Sequence, residues 1–337
     1  MTPILQMTRN GLFCETGGFH VDPWRAVDRA LVTHAHADHA RYGSKNVLCA
    51  ESGRKLVRQR VGDAATIEAM PFGQVRTIHG VEVSFHPAGH ILGSAQIRLA
   101  HRGQVCVVSG DYKTEADPTC EPFEPVACHH FITESTFGLP VYHWKPDREV
   151  FADINQWWAA NRAEGRTSII GAYALGKAQR LLAGVDATIG PILVHGAVDR
   201  FVPLYRGEGI ELPPVEKAGI AEAKTYKGEA LVIAPPSAFG TSWIRKFQPA
   251  SLAFASGWMQ VRGARRRRAV DRGFVLSDHA DWDGLQQAIA STGAERVEVT
   301  HGYTEVLVRW LREQGVDASE LETRFGGERN EEDETES

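Results

Sequence analysis

Short apolar runs that end in glycine or polar clusters alternate along this chain with longer stretches of helical period. Arg29-Ala-Leu-Val-Thr33, Val81-Glu-Val-Ser-Phe85, Val105-Cys-Val-Val108, Phe131-Ile-Thr133, Phe274-Val-Leu276 and Arg296-Val-Glu-Val-Thr300 predict strands. Helical periodicity predicts helices over about 148–164, with Trp157 and Trp158 on the apolar side, and over 176–182, 281–291 and 303–314. The mixture implies an α/β protein with helices packed on sheets. No internal repeat is evident. Residues 326–337 lack apolar anchors and read as a disordered acidic tail.

The same pattern points to where chemistry collects. These strands are followed at once by histidine or a carboxylate: His34 onward, His90, Asp111, Glu134, His279 and His301. Any one of them is explained by a surface histidine or a capping carboxylate. Repeated at equivalent positions, they predict side chains that converge at one edge of the sheets, where a scaffold presents its site.

Composition narrows the classes. The 337 residues suffice for one large or two ordinary domains, and 43% hydrophobic with 23% charged residues describes a globular protein. A net charge of −5 argues against a nonspecific nucleic-acid coat, although it leaves room for a local basic groove. The five cysteines are widely spaced and form no CxxC pair, which suits a reducing cytoplasm and speaks against a disulfide framework or a thiolate zinc site. With no signal peptide and no apolar run of membrane-spanning length, a cytoplasmic enzyme is expected.

His34-x-His36-x-Asp38-His39 packs three imidazoles and a carboxylate into six residues. Imidazole nitrogen and carboxylate oxygen suit zinc and neighbouring divalent metals. His34 and His36 alternate along an extended segment and can share one ion, while Asp38 and His39 can turn towards a second.

The motif resembles the signature of the metallo-β-lactamase superfamily, and later elements resemble its nucleic-acid-processing branch, the β-CASP nucleases. The loop Pro87-Ala-Gly-His90-Ile-Leu-Gly-Ser-Ala-Gln96 and Ser109-Gly-Asp111-Tyr112 match the next ligand elements. The resemblance implies that His34, His36, His90 and Asp111 hold one ion, and that Asp38, His39, Asp111 and His301 hold the other. It also implies that Asp22 supports the site through hydrogen bonds to ligands. Two such ions activate water and clamp a phosphoryl group, and their charge attracts an anionic diester.

Three further segments separate a nuclease from a lactamase, lactonase or thioesterase. Ile132-Thr-Glu134-Ser-Thr136, Ser277-Asp-His279-Ala-Asp281 and Thr300-His301-Gly302 resemble the β-CASP motifs. The resemblance makes His279 the general acid, oriented by Glu134, so that Asp38, Glu134 and His279 carry the catalytic steps. The long interval between Glu134 and His279 matches the branch's inserted α/β domain. The implied fold is a metallo-β-lactamase αββα sandwich with an inserted α/β β-CASP domain. Its expected layout is 1–150 and 266–325 for the metallo-β-lactamase parts, 151–265 for the insert and 326–337 for the tail.

Lys177, at a predicted helix start, and Arg262, Arg265, Arg266, Arg267 and Arg268, where the chain returns from the insert, are candidate nucleic-acid contacts. An arginine run is also often only a solvated surface. The opening Gly17-Gly-Phe-His20-Val-Asp-Pro-Trp24, Ser135-Thr-Phe-Gly-Leu-Pro140 and the stretch from Phe254 through Leu276 resemble one bacterial subgroup, the ligase-associated DNA exonucleases. That resemblance implies a zinc- or manganese-dependent DNA exonuclease in repair, acting on single strands or exposed ends. It also implies an ATP-dependent DNA ligase and a helicase as partners. An RNA-processing β-CASP ribonuclease is the alternative reading, and a catalytically silent scaffold the third.

Overall fold

The computed structural model describes residues 3–261 and 270–321. The described residues form two compact units, 3–140 with 279–321 and 141–261 with 270–278.

The first unit holds two sheets. One runs β1 Gln6–Thr8, β2 Gly11–Cys14, β3 Phe19–Val21, β4 Arg29–Leu31, β5 Asn46–Ala50 and β6 Thr66–Met70 in simple order. The other contains β7 Arg76–Ile78, β8 Val81–Pro87, β9 Ala95–His101, β10 Gln104–Val108, β11 His130–Ser135, β18 Arg296–Gly302 and β19 Asp317–Glu320, ordered β19-β18-β11-β10-β9-β8-β7. Strand alternation decides which layer each side chain joins. Cys106, Val108 and Ile132 pack with Val21, Leu31 and Leu48 of the first sheet, so the two sheets share a core. Their neighbours Val107 and Phe131 point the other way, against Leu285 and Ile289 of helix Trp282–Thr292 and Leu307 and Leu311 of helix Thr304–Glu313.

The second unit is built on a six-stranded parallel sheet, β14-β13-β15-β12-β16-β17. Its strands are β12 Thr167–Gly171, β13 Ile192–Val194, β14 Glu216–Lys217, β15 Leu231–Ala234, β16 Ala250–Ala255 and β17 Arg272–Phe274. Both faces are covered, which is why the inner strands β13 and β15 read as unbroken apolar runs. Ile170, Val194 and Ile233 pack with Ile154, Trp158 and Leu181 of helices Asp147–Ala163 and Lys177–Gly184. Ile169, Leu193 and Val232 pack on the opposite side with Ile244 and Phe247.

The expected strands and helices are present, displaced at their ends by a residue or two. One assignment differs more. Phe274 closes a strand that pairs with β16, so this stretch joins the second unit rather than the returning segment. The physical reason is Phe274 itself, which is 3% exposed in the core of that sheet. The unit edges lie at 140/141 and 278/279. The arginines at 262 and 265–268 and the tail at 326–337 lie outside the described residues.

Candidate metal centre

Each candidate ligand is placed by the strand before it. β3 and β4 run parallel, so Asp22, one residue past β3, stands beside Thr33, just past β4. Asp22 accepts the Thr33 N–H at 2.9 Å and the Thr33 hydroxyl at 2.6 Å. The chain then turns tightly: the N–H groups of His39 and Ala40 both bond the His36 carbonyl, at 3.2 and 2.9 Å. That turn brings Asp38 and His39 round beside His34 and His36. His90 sits in the loop between β8 and β9, where the Ser94 hydroxyl accepts the backbone N–H of both His90 and Ile91.

Asp111 follows β10 after a close approach. Gly110 has φ +57°, and a Cβ there would lie 2.7 Å from that of Thr33. Glycine lets the Asp111 loop pass against the histidine loop without a clash. β11 and β18 run parallel with a register shift at Glu134/Ser135, and His301 adopts φ +56° beside it. Asp22 is also left-handed, at φ +41°. Such backbone persists in non-glycine residues only when the surroundings over-determine it, and both residues face the candidate centre.

The side chains then converge in two groups that share one residue. His36 Nδ1 lies 3.2 Å from His34 Nε2 and 3.0 Å from His90 Nε2. Asp111 Oδ2 is 3.6 and 3.9 Å from the latter two nitrogens. Ligands about 2.0–2.1 Å from a tetrahedral ion stand roughly 3.3 Å apart, so His34, His36, His90 and Asp111 fit one ion. In the second group, His39 Nε2 lies 3.5 Å from both Asp38 Oδ2 and Asp111 Oδ2. His301 Nδ1 approaches Asp111 Oδ1 at 3.9 Å. His39, Asp111 and His301 cluster tightly enough to share an ion, with Asp38 at the margin. Asp38 Oδ1, His39 Nε2 and Asp111 Oδ1 are buried with no hydrogen-bond partner among the described residues. Buried polar atoms without partners are costly, and divalent cations held by these residues would neutralise them.

Electrostatics follow from the crowding. Burial alone would depress His39, but the carboxylates of Asp38, Asp111 and Asp22 outweigh it and hold its pKa well above the ordinary range. Burial and the neighbouring His39 push His34 well below it. Asp111 resists its burial because His39 and His301 favour its charged form, leaving its pKa well below the usual value. His39 Nδ1 lies 2.7 Å from Asp22, which favours placing the ring proton there and turning Nε2 to the centre.

A third group adjoins the first two. His279 Nδ1 lies 2.9 Å from each oxygen of Glu134. Glu134 in turn accepts the Tyr112 N–H at 2.8 Å and the Thr136 N–H at 3.3 Å. The Ala280 N–H bonds the Tyr112 carbonyl at 2.7 Å, tethering His279 to the Asp111 loop. Asp111, Glu134 and His279 are also spaced to share an ion, but Glu134 is already occupied by three hydrogen-bond donors.

Lys177 is placed differently from its sequence reading. Its side chain is 0% exposed and its ammonium lies 3.7 Å from Asp278, a partner within the protein rather than a surface-exposed position. Sequence reasoning also missed Thr33, whose hydroxyl joins Asp22 to His34 Nδ1 at 3.1 Å and His39 Nδ1 at 3.4 Å. Its position, one residue before the histidine run, was the available signal.

No family model matches the chain. A protein of Opitutus terrae named Probable DNA ligase is 32% identical over 312 residues, covering 92% of this chain and 30% of that protein. An endoribonuclease of Neurospora crassa is 32% identical over 142 residues, covering 41% of this chain and 16% of that protein. The chain thus spans less than two thirds of the length of these relatives. A solved structure from Enterococcus faecalis V583, of unknown function, superposes with a TM-score of 0.58 at 11% identity, over 89% of this chain and 80% of that one, and so shares its fold. The ligand run, the Asp111 junction and these relatives are consistent with a metallo-β-lactamase-fold β-CASP nuclease.

Proposed function

We propose that the chain hydrolyses phosphodiester bonds in DNA as a two-metal exonuclease. In this reading the first unit is the αββα metallo-β-lactamase domain and the second the inserted β-CASP domain. The observation that carries it is the His279–Glu134 pair, 2.9 Å apart, set against the same Asp111 that joins both candidate metal groups.

The residues fit two divalent ions, zinc by ligand type with manganese as the alternative. His34, His36, His90 and Asp111 would hold one, and Asp38, His39, Asp111 and His301 the other. When bound, such ions supply Lewis acidity towards a phosphoryl group and lower the pKa of water. The chain's own groups do the rest. Asp22 and Thr33 orient the imidazoles. Glu134 accepts the Nδ1–H of His279 and so fixes Nε2 as the atom that gives a proton. As the phosphorus–oxygen bond breaks, its electron pair stays on the leaving sugar oxygen, and that oxygen takes the proton from Nε2.

The name of the Opitutus relative, Probable DNA ligase, supports DNA as substrate and a DNA ligase as functional partner; a helicase partner rests on the sequence resemblance alone. The Neurospora relative favours the second reading, an RNA-processing enzyme. One experiment separates them. Matched DNA and RNA strands labelled at either end are incubated with protein of measured metal content. Progressive shortening of DNA is expected, abolished in Asp111→Asn. Shortening of RNA alone would favour the second reading, and intact strands of both kinds would overturn the nuclease assignment.

A further inference from the structure

Within the second unit, four ionisable side chains meet where the chain is about to leave it. Lys177 and Arg180 lie three residues apart on helix Lys177–Gly184, hence on one face of it. They are 0% and 3% exposed. Arg180 Nη2 donates to both oxygens of Asp147, at 2.6 and 2.8 Å. Its Nη1 donates to the Ser277 carbonyl and lies 3.4 Å from Asp278 Oδ1. Lys177 Nζ stands 3.7 Å from the other Asp278 oxygen and 4.8 Å from the centre of the Tyr173 ring.

Withdrawing these charges from water costs about as much as their attraction returns, and apolar side chains of similar volume often pack as stably. The network is therefore better explained by what it fixes than by stability. Arg180 grips the Ser277 carbonyl, and both cations grip the Asp278 carboxylate. Asp278 is the last residue of this unit, and the next peptide bond leads to His279.

We propose that Lys177 and Arg180 are positioning residues for His279, acting through Ser277 and Asp278 on the backbone from which the imidazole projects. The proposal rests on the reading of His279 as the proton donor. Glu134 fixes the ring at Nδ1, and the ion network fixes the chain behind it. The Ala280–Tyr112 bond holds the chain on the other side of His279, so loss of the network loosens one of three anchors, and a donor displaced beyond hydrogen-bond reach of the leaving oxygen does not transfer its proton.

The test compares two substrates on the metal-loaded full chain. A DNA strand leaves as a sugar alkoxide that needs a proton, whereas bis(p-nitrophenyl) phosphate releases a phenolate that needs none. The readout is the ratio of kcat/KM on DNA to kcat/KM on the activated diester, beside metal content and a thermal melt. His279→Ala should lower the ratio by about a hundredfold or more. Lys177→Met, Asp278→Asn and Arg180→Lys should lower it by about tenfold, through kcat rather than KM. Lys177→Met keeps the side-chain length without the charge, so it carries the test if Arg180→Lys does not fold. A parallel loss on both substrates means that the network only holds the fold together, and overturns the proposal. So does a ratio that falls for His279→Ala but for none of the network variants, which leaves the general-acid reading standing. An unchanged ratio in His279→Ala overturns that reading itself.

Discussion

His279 and Glu134 stand 145 residues apart in the chain, yet the imidazole Nδ1 lies 2.9 Å from both carboxylate oxygens. The carboxylate is fixed independently, by the backbone N–H groups of Tyr112 and Thr136. It therefore offers a rigid acceptor for the imidazole Nδ1.

Glu134→Gln tests this arrangement. An amide retains one acceptor oxygen but turns an NH₂ group towards backbone donors, which misplaces the imidazole. DNA hydrolysis should fall in the variant, within the range of about 10²–10⁴ that removal of a general acid costs. Both ions should stay bound, because Glu134 is outside the proposed ligand sets. Single-turnover rates with parallel metal analysis check both points, and loss of metal would place Glu134 among the ligands instead.

Much of this centre was legible in the sequence because chemistry follows strand ends. The run at His34–His39 and the positions of His90, Asp111 and His301 are local statements, and periodicity located the strands that carry them. What stayed hidden depends on contacts between distant segments. Lys177 stood at a helix start that suggested an anion site, and only the fold showed Asp278 enclosing it. Thr33 resembles any strand-ending hydroxyl until the parallel β3–β4 pairing sets Asp22 beside it. The unit boundary at Asp278 was hidden for a similar reason, since a three-residue strand at 272–274 carries too little periodicity to reveal its partner.

The two groups around Asp111 predict unequal losses of metal. His90→Ala removes a ligand of the first group alone, and His301→Ala removes one of the second alone. Each variant should hold about one ion fewer than the unaltered protein, whereas Asp111→Asn should weaken both, since the junction loses its charge. Elemental analysis after dialysis against a weak chelator measures this directly. Equal loss in all three variants would show that the sites fill only together.

Gly302 is a geometric constraint on His301. Its φ is +76°, and an added Cβ would lie 2.2 Å from the Ser135 carbonyl oxygen. Ser135 also donates its hydroxyl to the His301 carbonyl, so backbone movement there carries His301 with it. Gly302→Ala should destabilise the fold by about 1–3 kcal/mol, the scale of a strained backbone position. It should also lose the ion proposed for the His301 group before the one proposed for the His90 group. Thermal melts with and without added zinc separate the two effects. A melt shifted equally in both conditions would mean that strain alone had changed.

The pH response of the metal-free protein should be set by His39. Its folded-state pKa lies well above the ordinary imidazole value of 6.5 once the three carboxylates around it outweigh its burial. A raised value adds stability that is fully present below the unfolded value and is lost as pH rises through the folded one. His34, depressed by burial and by His39, works oppositely, and its contribution is lost only as pH falls below that same 6.5. Between pH 6.5 and about 8, below the usual titration of thiols, the slope should therefore report His39. The chelated protein should melt at progressively lower temperature across that window, and His39→Gln should flatten the trend. Metal reverses the sign, because an ion must displace the proton from His39, so affinity should rise with pH and binding should release protons. Calorimetric titration with zinc in two buffers of different ionisation enthalpy counts those protons. Fewer released protons in His39→Gln is the expected result, and an unchanged count would remove His39 from the metal centre.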